Sequence, residues 1–460
     1  MRINLLGPQM KGVNVAVNCQ LTRNMYAVQS QNTPSGFALI SSPGTTKLSD
    51  VAGSCRGLKV MAGTLYGVFG TSLYSFNSSL TSATSLGTVA GTSRVGMAHD
   101  GTNLVIVTGY GNPGYVYSGT LTQISDADFT GADSVTETAG YFCFTRNSGQ
   151  WFICAMGDPT SYSALDYVTN ELSPDGVLRI ITSHGEVLCF GEETTQVWDL
   201  TGASTFPFEL NNSAQIERGT YARWSVAKND NTVLFLGDDL IVYRLNGYTP
   251  ERVSDDGVES ELTKYQLDGY ITDLKNTYAY TYNDHGHKFY VLTVPNRGTH
   301  VYDIATGQWH SRKHWDYETH HSADYAFING RHVIGGIGSF LYEMKRGVFS
   351  DDGKYLERKR VSHVMSNDNQ RIRYKEIKFD IWTGQGLASG QGSDPTMIVR
   401  WANDFGQTFG KKKYLGIGIM GAYSKIVKLT NCGSARRRVI EMTVTDPVDF
   451  TILDAFAEIG

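Results

Sequence analysis

Clustered histidines are the residues of this chain best placed to do chemistry. Eleven occur among 460 residues, and six fall in two groups: His285-Gly286-His287, then His310, His314, His320 and His321. A zinc enzyme needs three such side chains converging, with oriented partners behind them. His310 and His314 have the HxxxH spacing that puts two imidazoles on one helix face. The surrounding QWHSRKHWDYETHH is aromatic, however, and lies between two expected strands. Helix is disfavoured there, and histidines exposed in a loop are the better reading. Adjacent carboxylates at Asp238-Asp239, Asp255-Asp256 and Asp351-Asp352 stand beside glycine. Glycosidic hydrolysis needs two carboxyls held apart across a sugar, so turn chemistry explains these pairs better. The chain contains no GxSxG elbow, Walker loop or HExxH. No catalytic, cofactor or metal residue is assigned.

Two further patterns concern shape and charge. ANDFGQTF after Trp401 has Asp404, Gly406, Thr408 and Phe409 at the spacing of an Asp-box turn, in which Asp and Thr hold a tight hairpin and the aromatic plugs the core. Asp boxes occur in sialidases, but as structural turns remote from the chemistry. The basic runs Lys411-Lys412-Lys413 and Arg436-Arg437-Arg438 are the sharpest charge feature. They read either as a solvated strand edge, which lysines protect against aggregation, or as a docking surface for an acidic partner.

The elements that carry these residues are short strands. MAGTLYGVFGTSLYSF (61–76) is a hairpin of two alternating strands, and variants of it recur at 101–118, 149–168, 185–200, 231–245, 286–304 and 330–344. The first large apolar residues of the copies are Leu65, Leu104, Trp151, Val187, Leu234, Phe289 and Val333. Their spacing of about 36 to 55 residues is that of a four-stranded propeller blade. The fold expected is all-β: a β-propeller of about seven blades over 51–353, with six blades plus an irregular insert as the alternative, and a C-terminal β-sandwich over 354–460. Between 254 and 276, Ser254-Asp255-Asp256 followed by Val258, Leu262, Tyr265 and Leu267 predicts a short helix between blades. Residues 1–50 read as an extended arm whose last strand, 36–42, is a candidate to close the ring against the final blade. In 371–383 the apolar phase shifts between Tyr374 and Ile377, which predicts a bulge.

Composition agrees. Fifty glycines, 41% hydrophobic and 18% charged residues describe a globular chain of strands and turns, and no run approaches the roughly 20 apolar residues that span a bilayer. The N-terminus lacks the apolar core and cleavage site of a secretory signal, so the product is expected in the cytoplasm when made. Six scattered cysteines form no CxxC pair and read as buried thiols. From Lys354 onward there are 17 Lys+Arg against 11 Asp+Glu, leaving 23 against 34 for everything before. An acidic body does not grip nucleic acid through its phosphates; it suits a surface past which DNA slides.

Three stretches together resemble the packaged-DNA stabilisation proteins, the tail hubs or nozzles of short-tailed bacteriophages. They are NCQLTRNMYAV with ALISSPGTTKL, the block from Asp158 to Ala203, and the closing RRRVIEMTVTDPVDFTILDAFAEI. Asp158, Tyr162, Asp175-Gly176, Cys189-Phe190-Gly191 and Thr201-Gly202 stand in the family's order. The resemblance implies a structural virion protein without catalytic residues or cofactors. It also implies a homo-hexamer below the portal-adaptor ring that extends the DNA channel, retains packaged DNA, and anchors tail spikes or fibres and a channel plug or needle. DNA would pass through the lumen without specific binding, with no membrane insertion, and assembly would begin in the host cytoplasm. Acidic propeller residues facing the lumen, and the basic runs at Lys411–Lys413 and Arg436–Arg438 facing a partner ring, are the corresponding expectations. A glycan-active or glycan-binding propeller is the alternative.

Overall fold

Inner-strand turns set the architecture. Ala62-Gly63, Ala139-Gly140, His184-Gly185, His285-Gly286 and Asn329-Gly330 each have two consecutive residues with positive φ. That is the two-residue hairpin turn whose twist matches the strands it joins. In the computed structural model, which describes residues 2–3, 9–12, 14, 16–33, 35–146, 149–169, 175–203, 206–229 and 231–459, these turns link the first two strands of five blades. Seven four-stranded antiparallel blades are present. Their first strands are Cys55–Met61, Gly96–His99, Ser134–Thr138, Val177–Ser183, Ala227–Asn229, Tyr278–Asp284 and Ser322–Ile328. These strands ring a central cavity of about 550 Å³, to which the blades in turn present Lys59, His99, Glu137, Arg179, Lys228, Thr281 and Tyr325.

Six of the seven hairpins expected from sequence are the second and third strands of a blade. The copy at 149–168 is instead the third and fourth, Gln150–Ala155 and Asp158–Thr169, because the second strand is Tyr141–Arg146. Both Tyr141–Arg146 and Gln150–Ala155 are continuous aromatic and apolar runs, so the sequence pattern does not distinguish the pairs. The predicted helix is present as α1 (Asp256–Leu267), capped by the Asp255 carboxylate accepting from the Val258 N–H, and is followed by α2 (Ile271–Lys275). Val258, Leu262 and Leu274 pack onto Leu234, Tyr290 and Trp309 of blades five and six.

The ring-closing strand differs from the expected one. Phe37–Ser41 pairs with Met25–Gln29 and with Thr451–Ile459, inside the sandwich. Gly44–Asp50 closes the propeller as the outer strand of blade seven, antiparallel to Phe340–Lys345. Burial explains the exchange: Leu39 joins the sandwich core and Ala38 is buried beside it, whereas GTTKLSD is polar enough for an outer blade edge.

Residues 19–33 and 35–50 are therefore no free arm. One sandwich sheet orders Met25–Gln29, Phe37–Ser41, Thr451–Ile459, Ile372–Ile381 and Val427–Thr430; the other orders Cys19–Arg23, Arg358–Val361, Arg437–Val444, Thr396–Ala402 and Lys413–Gly416. Met25 and Leu39 share a core with Phe379, Met397, Met442 and Ile452. The register of Ile372–Ile381 against Thr451–Ile459 slips between Tyr374 and Glu376, at the predicted bulge. The second sheet runs on into blade six, where Arg23 pairs in parallel with Ser311.

Asn24 sits at that junction, fully buried with φ 52°. Its side-chain amide donates to the carbonyls of Lys313 and Glu357 and accepts from the Lys313 N–H, at 2.9–3.0 Å. One side chain thus ties the exit of blade six to the entry of the sandwich.

Candidate functional site

The two basic runs meet at one end of a sandwich sheet, because Val399 pairs with Lys413 and Ala402 with Val439. Their members are not equivalent. Lys411, Lys412, Lys413 and Arg436 are exposed, and Lys413–Gly416 is the terminal strand of its sheet, where lysine discourages further strand pairing. Arg437 is half-buried, its guanidinium 4.6 Å from the Phe405 ring centroid. Arg438 is 1% exposed, lies 4.2 Å from the Tyr374 ring and donates to Asn403 Oδ1 at 3.2 Å. Burial lowers its pKa. A buried cation inside the sandwich is not a docking group, which corrects the expectation for Arg438: three consecutive arginines on a strand cannot all face outward, since neighbours alternate faces.

An apolar surface adjoins the lysines. Tyr414, Ile419, Met420, Tyr423 and Ile426 are all more than half exposed, on the edge strand and the loop after it. Sequence reading missed this surface because GIGIMGAY has the composition of a core strand. Its glycines instead hold an open loop, with Gly418 and Gly421 at φ 108° and 83°.

The Asp box is a structural turn. Asp404 accepts from the Gln407 and Thr408 N–H groups at 2.9–3.0 Å, and these backbone donors, Thr408 first, hold its carboxyl below the usual range. Phe409 packs beside Cys19, Val361 and Val439.

Apart from the exposed turn residue His285, the clustered histidines depart from expectation. His285 is part of a hairpin turn, and His287 bonds Asp303 at 2.7 Å. His310, His314, His320 and His321 are all buried rather than exposed in a loop. His310 is on the outer strand of blade six, Gln308–Arg312, packed on Tyr26 and Phe289. His320 and His321 lie beside Asp351, itself fully buried. Sequence spacing carried no sign of this, since the aspartate arrives from the far side of blade seven. The six cysteines are free and buried.

The propeller axis carries three cations, Lys59, Arg179 and Lys228, against one carboxylate, Glu137. Arg179 faces Trp224 at 4.8 Å, Arg94 faces Tyr278 at 4.5 Å, and Arg223 pairs with Asp133 at 2.9 Å. Burial, then the neighbouring Arg223 and Arg94, lower the Arg179 pKa to about 10. Lys59 is lowered by burial and by Arg179. A cavity of this volume is on the scale of a small ligand, and no duplex threads it. No helix among the described residues is long and apolar enough to cross a membrane.

The residues bearing the family resemblance do turn work. Asp175 accepts from the Glu193 and Thr194 N–H groups, and a Cβ on Gly191 would lie 2.3 Å from the Asp175 carboxylate. Tyr162 donates its hydroxyl to the Pro159 carbonyl. Residues 170–174 of that block lie outside the described residues.

Comparison with known proteins supplies the relationship. The tail hub protein gp10 of Salmonella phage P22 is 24% identical over 465 residues, covering 94% of each chain. Among solved structures, the computationally designed Ika8 protein aligns with a TM-score of 0.42 at 14% identity, over 74% of this chain and 99% of its own. The Pan2 WD40 domain of Neurospora crassa gives 0.45 at 9%, over 66% and 97%. Family models described as the bacteriophage P22 Gp10 β-propeller and β-sandwich match residues 7–342 and 357–460 in that order. The chain thus belongs to the bacteriophage P22 Gp10 family, through both its propeller and its sandwich.

Proposed function

We propose that this protein is a structural component of a phage tail, a tail hub, and not an enzyme. The observation that carries the reading is the end-to-end match to a tail hub protein, 94% of each chain, with propeller and sandwich in the same order. The glycan-active alternative loses its support: the Asp box is a turn, the paired carboxylates hold turns, caps or buried contacts, and the propeller axis is lined by cations.

In the finer reading, six copies form a ring below the portal-adaptor complex, retain packaged DNA, and hold spikes or fibres and a plug or needle. The DNA path then lies between copies, since the propeller's own axis is too small for a duplex. The acidic surplus of the propeller half faces that path. The exposed lysines Lys411, Lys412 and Lys413 with Arg436, flanked by Tyr414 and Ile419, meet an acidic partner ring. An apolar centre with a charged rim is the usual anatomy of such an interface.

Native mass measurement of the purified protein, alone and mixed with portal-adaptor complexes lacking a hub, tests this. Six copies gathered per complex are expected. Replacing Lys411, Lys412 and Lys413 by Glu should slow association at least tenfold at low salt while leaving the fold intact. A folded protein that binds in no stoichiometry overturns the hub reading.

A further inference from the structure

Two acceptor atoms with no donor between them mark the seam of the propeller. His320 Nε2 and Asp351 Oδ2 are both buried and without a hydrogen-bond partner. The other ring nitrogen of His320 lies 2.8 Å from Ser322 Oγ. With the hydroxyl oxygen accepting from Nδ1–H, the Nε2 lone pair points into the cluster, which is the arrangement that orients a metal-ligating imidazole. On the other side, Thr45 Oγ1 donates to Asp351 Oδ1 at 3.1 Å and stands 3.1 Å from His321 Nε2. A ligand atom from each of His320, His321 and Asp351 lies within 4.8 Å of the other two. Leaving a buried acceptor unpaired costs about 1–3 kcal/mol, more when it is charged.

We propose that His320, His321 and Asp351 bind a divalent transition ion of the zinc class, with Thr45 or a water completing the shell. Two imidazoles and one carboxylate are a borderline donor set that suits Zn²⁺ better than Ca²⁺ or Mg²⁺, which take oxygen ligands. Zinc bonds of 2.0–2.2 Å place tetrahedral ligand atoms about 3.3–3.6 Å apart, so the side chains close in on the ion. Arg312, whose charge acts on Asp351, turns its Nη atoms to the Pro43 carbonyl and Met344 Sδ. Among the described residues the carboxylate therefore has no ion-pair partner within 4.0 Å that zinc would have to displace.

The location gives the ion a structural task. His320 and His321 precede the first strand of blade seven, Asp351 belongs to the short strand Ser350–Asp351 after its third, and Thr45 is on the closing strand Gly44–Asp50. One ion would join three segments where the ring closes and the chain leaves for the sandwich. This holds whether or not the protein is a tail hub, so its test stands apart from that reading.

Untagged protein, produced in zinc-supplemented medium and passed into chelator-free buffer, is assayed for metal by mass spectrometry. About one zinc per chain is expected, with at least a tenfold lower content in Asp351→Asn and in the milder His320→Gln. Stripped wild-type protein titrated with Co²⁺ should develop visible ligand-field bands at one equivalent, a readout independent of whether the variants fold. Below a tenth of an equivalent of metal, with no Co²⁺ spectrum in protein of native circular dichroism, the proposal fails. Retention of metal by both variants overturns it as well.

Discussion

The propeller and the sandwich solve the same problem, burying one face of many short strands, in opposite ways. Each blade is built mainly from strands adjacent in sequence, joined by two-residue turns, and only blade seven borrows a distant one. Every sheet of the sandwich needs strands from both ends of the chain: Cys19–Arg23 beside Arg358–Val361, and Phe37–Ser41 beside Thr451–Ile459. The surfaces differ too. The propeller half holds the acidic surplus and its buried cations line the axis, whereas the sandwich carries an exposed basic edge with apolar residues alongside. Local pairing makes a rigid repeated body, and non-local pairing makes a domain that exists only when both chain ends are in place.

The harshest way to break that comparison is to remove residues 1–42 while keeping Gly44–Asp50. The sandwich loses Cys19–Arg23, Met25–Gln29 and Phe37–Ser41 and should become protease-sensitive throughout 357–460, while the blades persist; limited proteolysis with peptide mapping reads this. A sandwich that stays resistant would show that the C-terminal hundred residues suffice. Asn24→Ala acts at the junction alone. It removes three buried side-chain hydrogen bonds to backbone groups, and a loss of about 3 kcal/mol is expected in urea unfolding. An unchanged midpoint would show that the two bodies do not depend on this contact.

Within the basic run, Arg438→Ala and Arg436→Ala sharpen the contrast between core and surface. The first empties a buried site between Tyr374 and Asn403 and should cost about 2 kcal/mol, whereas the second should stay within ~0.5 kcal/mol. Equal effects would deny Arg438 its buried role.

Acid should then act on the propeller first. His310 is buried among Tyr26 and Phe289, faced by Asp303, His287 and Arg312, and burial pushes its pKa down to about 3. The unfolded chain, with an ordinary value near 6.5, binds a proton that the folded chain does not. The stabilisation present above that value is lost as pH falls toward 3, at about 1.4 kcal/mol per pH unit. His310→Phe should flatten this slope between pH 6 and pH 5, while residues from 354 on, which include only His363, respond little. A slope identical in variant and wild type would place the acid sensitivity elsewhere.

Much of the propeller was legible because its information is local. Leu65, Leu104, Val187, Leu234, Phe289 and Val333 each mark a second strand, and α1 announces itself through Asp255 and the spacing of Val258 and Leu262. Trp151 misplaced one blade by a strand because Tyr141–Arg146 and Gln150–Ala155 are equally apolar and aromatic. The bulge near Tyr374 showed as a phase change, and the Asp box as residue spacing. Surface and interior were harder to tell apart. Ile419, Met420 and Tyr423 of GIGIMGAY read as core and are exposed, while HHS at 320–322 reads as loop and is buried.

The sequence by itself determined strand periodicity, turn positions, the charge division at Lys354 and the family of the chain, since each is written in neighbouring residues. Only the tertiary structure decided that Gly44–Asp50, not Phe37–Ser41, closes the ring, and that Arg438 lies inside while Lys411 lies outside. It alone brought Asp351 to His320 and His321 from the other side of a blade. The physical reason is common to all three. Which partner a strand or a side chain finds is set by the burial available in the whole fold, and no window of sequence contains both partners.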